Sequence, residues 1–158
     1  MTTEPRPMME DEIEAVAALW HDTWHDTHDG IAPRALCEFR TPDYFLRRID
    51  KERETVRVCG ARGRPVGLCI VSYANLDMLF VAAAERGKGV GVRLLVDAEA
   101  RMREKGVKEA HLYVALRNDG AIRFYKRHGW VDAGKSNKIF EVAGGTMTDL
   151  VGKMVKTL

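Results

Sequence analysis

Cysteine is scarce in this chain: Cys37, Cys59 and Cys69 are three widely spaced residues in 158. That number and spacing argue against a disulfide framework and against a zinc site of the paired-cysteine kind, and suit reduced thiols in a cytoplasm. Charge of one sign is lacking too. Lys and Arg number 25 against 23 Asp and Glu, a formal net charge of +2, so neither nucleic acid nor a membrane surface is expected as the main partner. No apolar run approaches membrane-spanning length. The early stretch with Glu4, Glu10, Asp11, Glu12 and Glu14 is the reverse of a basic-then-apolar secretory signal. Repeats, linkers and low-complexity segments are missing as well. At 46% hydrophobic, residues 1–158 are expected to form one domain with a substantial core.

What is present is a change of periodicity along the chain. A short extended start from Thr3 to Met8 leads to Asp11, an expected N-cap, and then to Ile13, Val16, Ala17, Trp20 and Trp24 at helical spacing. A second helical region carries Leu36, Phe39, Phe45, Leu46 and Ile49, broken or restarted at Pro42. Val56, Val58, Val66, Leu68, Ile70 and Val71 flank the turn Arg62-Gly63-Arg64-Pro65 and predict a β-hairpin, with Leu76 to Val81 as its third strand. Gly91, Leu94, Leu95, Ala98 and Met102 predict an amphipathic helix ending at Gly106. Ala110, Leu112 and Val114 alternate as a strand, and Asn118 opens a helix with Ala121, Phe124, Tyr125 and His128 inward, closed by Gly129. Two final strands, Trp130 to Phe140 and Met147 to Val155, are joined around Gly144-Gly145. The expected fold is α/β (α+β): a mixed central sheet of about seven strands flanked by about four helices, with the helix-crossed strand pair parallel.

Between strand and helix lies Glu85-Arg86-Gly87-Lys88-Gly89-Val90-Gly91. Amides at a helix start lack intrahelical acceptors, glycine lets a ligand approach, and the helix dipole favours an anion, so a phosphate or pyrophosphate is the natural guest. A P-loop would need Lys and then Ser or Thr after the last glycine, where Val92 and Arg93 stand. A dinucleotide fingerprint would need glycine where Val92 is, in the first βαβ unit.

The pattern Arg-x-x-Gly-x-Gly at Arg86, Gly89 and Gly91, preceded by Leu79-Phe80-Val81, resembles the pyrophosphate motif of the GNAT acetyltransferases. Leu112-Tyr113-Val114, Asn118, Ala121, Phe124-Tyr125 and Gly129-Trp130 are similar to the second half of that family's pattern. Trp130 replaces its usual Phe, and Ala83 stands where many relatives have proline.

The resemblance implies an N-acetyltransferase that moves an acetyl group from acetyl-CoA to a primary amine, on a small molecule or peptide, by direct attack in a ternary complex. It also implies strands splayed beyond a parallel pair, with pantetheine paired to the exposed edge of Leu79, Phe80 and Val81. The pyrophosphate would rest on Arg86, Gly87, Lys88, Gly89, Val90 and Gly91. Asn118, Ala121 and Phe124 would border the pantetheine, and Tyr125 would be the general acid. A homodimer is implied by resemblance alone. On the residues themselves, Tyr125 could be plain packing, Asn118 a plain N-cap, and Arg93, Arg123, Lys126 and Arg127 solvated charges or phosphate partners. Asp77, expected on the face of Leu79 and Val81, is a candidate general base or a strand-edge charge. Tyr113 occupies another position where relatives carry bases. His21, His25 and His28 share a helix face, but three ligands from one straight helix rarely converge on an ion. A solvated polar face is therefore expected and no metal site. Rival readings are a catalytically silent acyl-CoA-binding domain and a nucleotide-binding module.

Overall fold

The computed structural model describes residues 4–158, so Thr3, where the expected extended start begins, lies outside the described residues. The chain enters through β1 (Arg6–Pro7) and a single 3-10 turn, Glu10–Glu12, into α1 (Ile13–His28). Val16, Ala17, Trp20, Thr23 and Trp24 form its buried stripe. The expected cap, Asp11, instead faces out and pairs with Arg62 at 2.7 Å. Glu12 takes the interior place because four donors converge on it. Arg6 donates at 2.8 and 2.7 Å, the Met9 amide at 2.8 Å and the Gly63 amide at 2.8 Å. Fully buried yet saturated with hydrogen bonds, this carboxylate fastens the start of α1 to β1 and to the β2–β3 turn.

The second helical region is two helices, α2 (Arg34–Phe39) and α3 (Pro42–Lys51). Pro42 restarts the helix at its first turn, where no amide is needed, and Thr41 caps it by accepting from the Tyr44 amide. The count of α-helices is therefore five among the described residues.

The remaining elements are β2 (Arg57–Ala61), β3 (Arg64–Ser72), β4 (Asn75–Val81), α4 (Val90–Glu104), β5 (Glu109–Val114), α5 (Asp119–Arg127), β6 (Val131–Val142) and β7 (Gly145–Thr157). Seven strands form one mixed sheet in the order β1-β2-β3-β4-β5-β7-β6. Among the described residues only β4 and β5, joined through α4, run parallel. A core lies on each face. On one side Leu94, Leu95, Ala98 and Met102 of α4 meet Tyr125, Trp130, Leu112 and Met154. On the other, Val16, Trp20, Trp24, Phe45 and Ile49 of α1 and α3 meet Val58, Leu68, Ile70 and Met78.

The sheet parts in its middle. β4 and β5 pair only at Asn75↔His111 and Leu76↔Leu112, although β4 continues to Val81 and β5 to Val114. On its other side β4 carries a bulge, since Ile70 faces Met78 while Val71 faces Leu76, leaving Asp77 as the extra residue. A bulge bends its strand and resets which side chains share a face. Leu76, Leu79 and Val81 thus belong to the α4 side and Met78 and Phe80 to the α1 side. The simple alternation that put Asp77 beside Leu79 and Val81 does not hold.

Among the described residues no helix is long and apolar enough to cross a membrane.

The hydrogen bond from Arg6, followed by the two backbone donors, holds the Glu12 carboxyl at about 2 against 4.5 unperturbed. A depressed carboxylate contributes stability that is present above its unfolded value and fades as pH falls toward its folded one. Glu12→Gln should cost roughly 3 kcal/mol at neutral pH, with the gap to the parent closing between about pH 5 and pH 2, measured by urea denaturation across pH.

Candidate active site

Where β4 and β5 diverge, a cavity of about 700 Å³ opens through the sheet. Leu76 to Phe80, Leu112 to Leu116, Asn118, Ala121 and Tyr125 line its inner part. Trp24, His28, Arg40, Tyr44 and Phe140 line its outer part. Leu79, Phe80 and Val81 pair on one side with Cys69, Leu68 and Gly67 of β3, but past Leu76 they pair with no strand on the β5 side. That edge can receive an extended ligand through backbone bonds, as a missing strand would.

At the outer end of β4 the chain makes a 3-10 turn, Ala83–Glu85, and reaches the glycine loop. Gly89 caps α4 with φ +88, a left-handed conformation that a side chain would strain, and it has no side-chain cap bond. The first α4 amide to find a carbonyl is that of Arg93, on Gly89 at 3.1 Å; among the described residues the amides of 87–92 donate to none. A run of free donors at a helix mouth is an anion cradle. At Gly91 a Cβ would lie 3.4 Å from the Phe124 ring, within ordinary contact, so α4 and α5 meet closely here.

The loop's cationic side chains have protein partners. Arg86 donates to the Val81 carbonyl at 3.2 Å and pairs with Asp26 of α1 at 3.2 Å. Lys88 lies 3.4 Å from Glu85 and Arg93 lies 3.6 Å from Glu4. Arg123, Lys126 and Arg127 are exposed on α5.

Asn118 caps α5, its side chain accepting from the Ala121 amide at 3.3 Å, and the cap sits on the cavity wall with Ala121. Phe124 packs edge-on against Tyr125 at 5.3 Å. Tyr125 is buried among Trp130 and the α4 core yet borders the cavity. Burial raises its phenol above the ordinary range, with neighbouring Cys69 acting in the same direction, so the hydroxyl stays protonated and available as a donor. Burial pushes the Cys69 thiol up to about 12, which keeps it protonated and unreactive.

Asp77 accepts from Ser72 Oγ and Asn75 Nδ2 and lines the cavity. Tyr113 lines it as well, with Lys138 Nζ 4.2 Å from its ring centroid. The histidines of α1 do not form the expected solvated face. His25 reaches Asp29 at 2.8 Å and the Arg40 carbonyl at 2.6 Å. His28 stacks on Trp24 at 4.5 Å and its Nδ1 donates to the Trp24 carbonyl at 2.9 Å. That bond fixes the tautomer, leaving Nε2 as an acceptor at the cavity wall. Burial holds His28 below its ordinary value. Among the described residues no group of three His, Cys, Asp or Glu is placed to hold a metal ion.

Arg40, Tyr44 and Arg48 also line the cavity, and the sequence does not single them out. Their one sequence-level sign was amphipathic spacing around Pro42, which looks the same for a core-facing helix.

The family described as the Acetyltransferase (GNAT) family matches residues 13–130. Peptidyl-lysine N-acetyltransferase YjaB of Escherichia coli (strain K12) is 30% identical over 137 residues, spanning 86% of this chain and 87% of its own. An uncharacterized N-acetyltransferase of Methanocaldococcus jannaschii is 31% identical over 98 residues, 55% of this chain and 43% of that longer relative. In fold, a GCN5-related N-acetyltransferase from Rhodopseudomonas palustris superposes with a TM-score of 0.76 at 20% identity, covering 100% of this chain and 97% of its own. PaiA N-acetyltransferase from Thermoplasma acidophilum, solved in complex with coenzyme A, gives 0.68 at 21% identity, covering 98% of each.

Asn118→Ala should cost about 1 kcal/mol through the lost cap, measurable by thermal denaturation.

Proposed function

This chain belongs to the acetyltransferase (GNAT) family, and from that premise we propose that it transfers an acetyl group from acetyl-CoA to a primary amine by direct attack in a ternary complex. The observation that carries the reading is the continuity of two unsatisfied surfaces: the free amides of residues 87–92 and the unpaired edge of β4 beyond Leu76. A pyrophosphate fits the first and an amide-bearing pantetheine the second, which brings the thioester to the cavity beside Tyr125. The solved coenzyme A complex of a protein with the same fold supports this reading.

In this scheme Arg86, Gly87, Lys88, Gly89, Val90 and Gly91 hold the pyrophosphate chiefly through backbone. Leu79, Phe80 and Val81 pair with the pantetheine and polarise the carbonyl, while Asn118 and Ala121 border the arm. Phe124 contributes by seating α5 on Gly91. As the tetrahedral intermediate collapses, Tyr125 gives its proton to the departing thiolate. The attacking amine must be neutral, and Asp77, on the cavity wall, takes its proton in this reading. His28 is a second candidate, favoured by its free Nε2 and its depressed proton affinity. The acceptors named for relatives, peptidyl lysine and spermidine, are amines. We read the enzyme as one domain acting in the cytoplasm.

Calorimetry should show binding of CoA and acetyl-CoA and none of ATP; absence of CoA binding removes the assignment. Tyr125→Phe should lower kcat by about a hundredfold or more with CoA affinity unchanged. CoA binding without thiol release across a broad amine panel would favour a silent binder. If His28 is the base, the acidic limb of the kcat/KM profile falls below pH 6.5, the ordinary value for histidine, and moves in His28→Gln. If Asp77 is the base, it moves in Asp77→Asn instead.

A further inference from the structure

Of the three arginines on the cavity wall, Arg117 donates to the Gly30 carbonyl at 3.4 Å, while Arg40 and Arg48 are held against aromatic rings without a carboxylate. Arg40 follows α2, where its carbonyl is fastened to His25 of α1. Its guanidinium carbon lies 4.6 Å from the Trp24 ring centroid, 5.2 Å from that of Tyr44 and 5.9 Å from that of Phe140. Arg48 lies 5.3 Å over Trp20 and donates to the Tyr44 hydroxyl at 2.8 Å. Even Arg34, with a side chain 91% exposed, pairs with a glutamate. Arg40 and Arg48 form no ion pair among the described residues, and the wall carboxylates Glu141 and Asp149 do not reach them. A partly buried cation left unpaired is costly, and a second one nearby adds repulsion. Burial pulls the Arg40 pKa down, with Tyr44 opposing and the Arg48 charge adding to the shift.

The unsatisfied polar atoms of this cavity are sorted by kind. Arg40 Nε and Trp20 Nε1, both buried donors, have no protein acceptor. Toward β4, Asn75 Oδ1 is a buried acceptor without a donor, next to the Asp77 carboxylate. Donors without acceptors call for an oxyanion, and acceptors without donors for an ammonium or amine. Aromatic rings around Arg40 keep its planar fork oriented for a bidentate partner.

We propose that the acceptor is a small amine that also carries a carboxylate, with the carboxylate docked on Arg40 and Arg48 and the amine directed toward Asn75 and Asp77. The proposal rests on the acetyltransferase reading and narrows it to amino-acid-like acceptors. A cavity of about 700 Å³, shared with the pantetheine, holds such a molecule beside the thioester.

The test compares amino acids with their carboxamides as acceptors, by thiol release from acetyl-CoA. It also compares N-acetyl amino acids with their amides as ligands of the CoA-loaded protein, by tryptophan fluorescence. Acids should surpass amides by about tenfold or more in kcat/KM and in affinity. Arg40→Gln should bring that ratio close to one with CoA affinity unchanged, and Arg40→Lys should retain part of it. Arg48→Gln serves the same purpose if Arg40→Gln does not fold. A ratio near one in the parent protein, or one unchanged in the folded variants, overturns the proposal. Failure to bind CoA defeats the acetyltransferase reading instead, and the same titration on unloaded protein still decides whether a carboxylate site exists.

Discussion

One inserted residue governs the architecture. Asp77 has no partner of its own in the β3–β4 ladder, and the bend it imposes accompanies the end of β4–β5 pairing after Leu76 and Leu112. A parallel pair that continued would fill the middle of the sheet with backbone hydrogen bonds and leave no way through it. Ending it early exposes polar backbone along β4, a cost normally avoided in a sheet interior. A ligand with its own amides can offset that cost, so the break in the sheet and the binding of an extended ligand are two aspects of one arrangement.

On each face of the sheet a buried carboxylate ties separate segments together. On the α4 side, buried Glu99 accepts from Trp130 Nε1 at 3.2 Å and from Lys156 at 2.7 Å. Lys156 also donates to the His128 carbonyl at 2.7 Å. Helix α4, the end of α5 and strand β7 are thereby tied at one buried charge pair, whose geometry is satisfied on both partners. On the other face, Glu12 draws β1, the β2–β3 turn and the entry to α1 together. The first cluster reaches the cavity wall through Trp130, which packs against Tyr125 at 5.9 Å; the second lies at the far edge of the sheet.

How much of this was legible follows from which signals are local. The β4-loop-α4 and β5-α5 units carry glycine, cap and alternation patterns within short windows, and the structure has them at those positions. Helix α2–α3 was readable down to the restart at Pro42. The bulge at Asp77 was not, because a run such as Asn75-Leu76-Asp77-Met78-Leu79 alternates equally well without it. Propensity points to Asp11 as the cap of α1; the interior place goes to Glu12 because Arg6 and the Met9 amide, a few residues before it, and the Gly63 amide of the β2–β3 turn all donate to it. Nothing in the sequence singles out Arg40 and Arg48; only the rings of α1, α3 and β6 packed around them show that they differ from ordinary surface charges.

The contact between Gly91 and the Phe124 ring has a mechanical meaning. Phe124 thus stands between the mouth of α4 and Tyr125, whose ring it meets edge-on at 5.3 Å. Under the proposed roles, a shift of the glycine loop would reach Tyr125 through a single ring. In such an assembly the occupancy of one subsite can set the alignment of the other without any hinge or lid, through rigid contact alone.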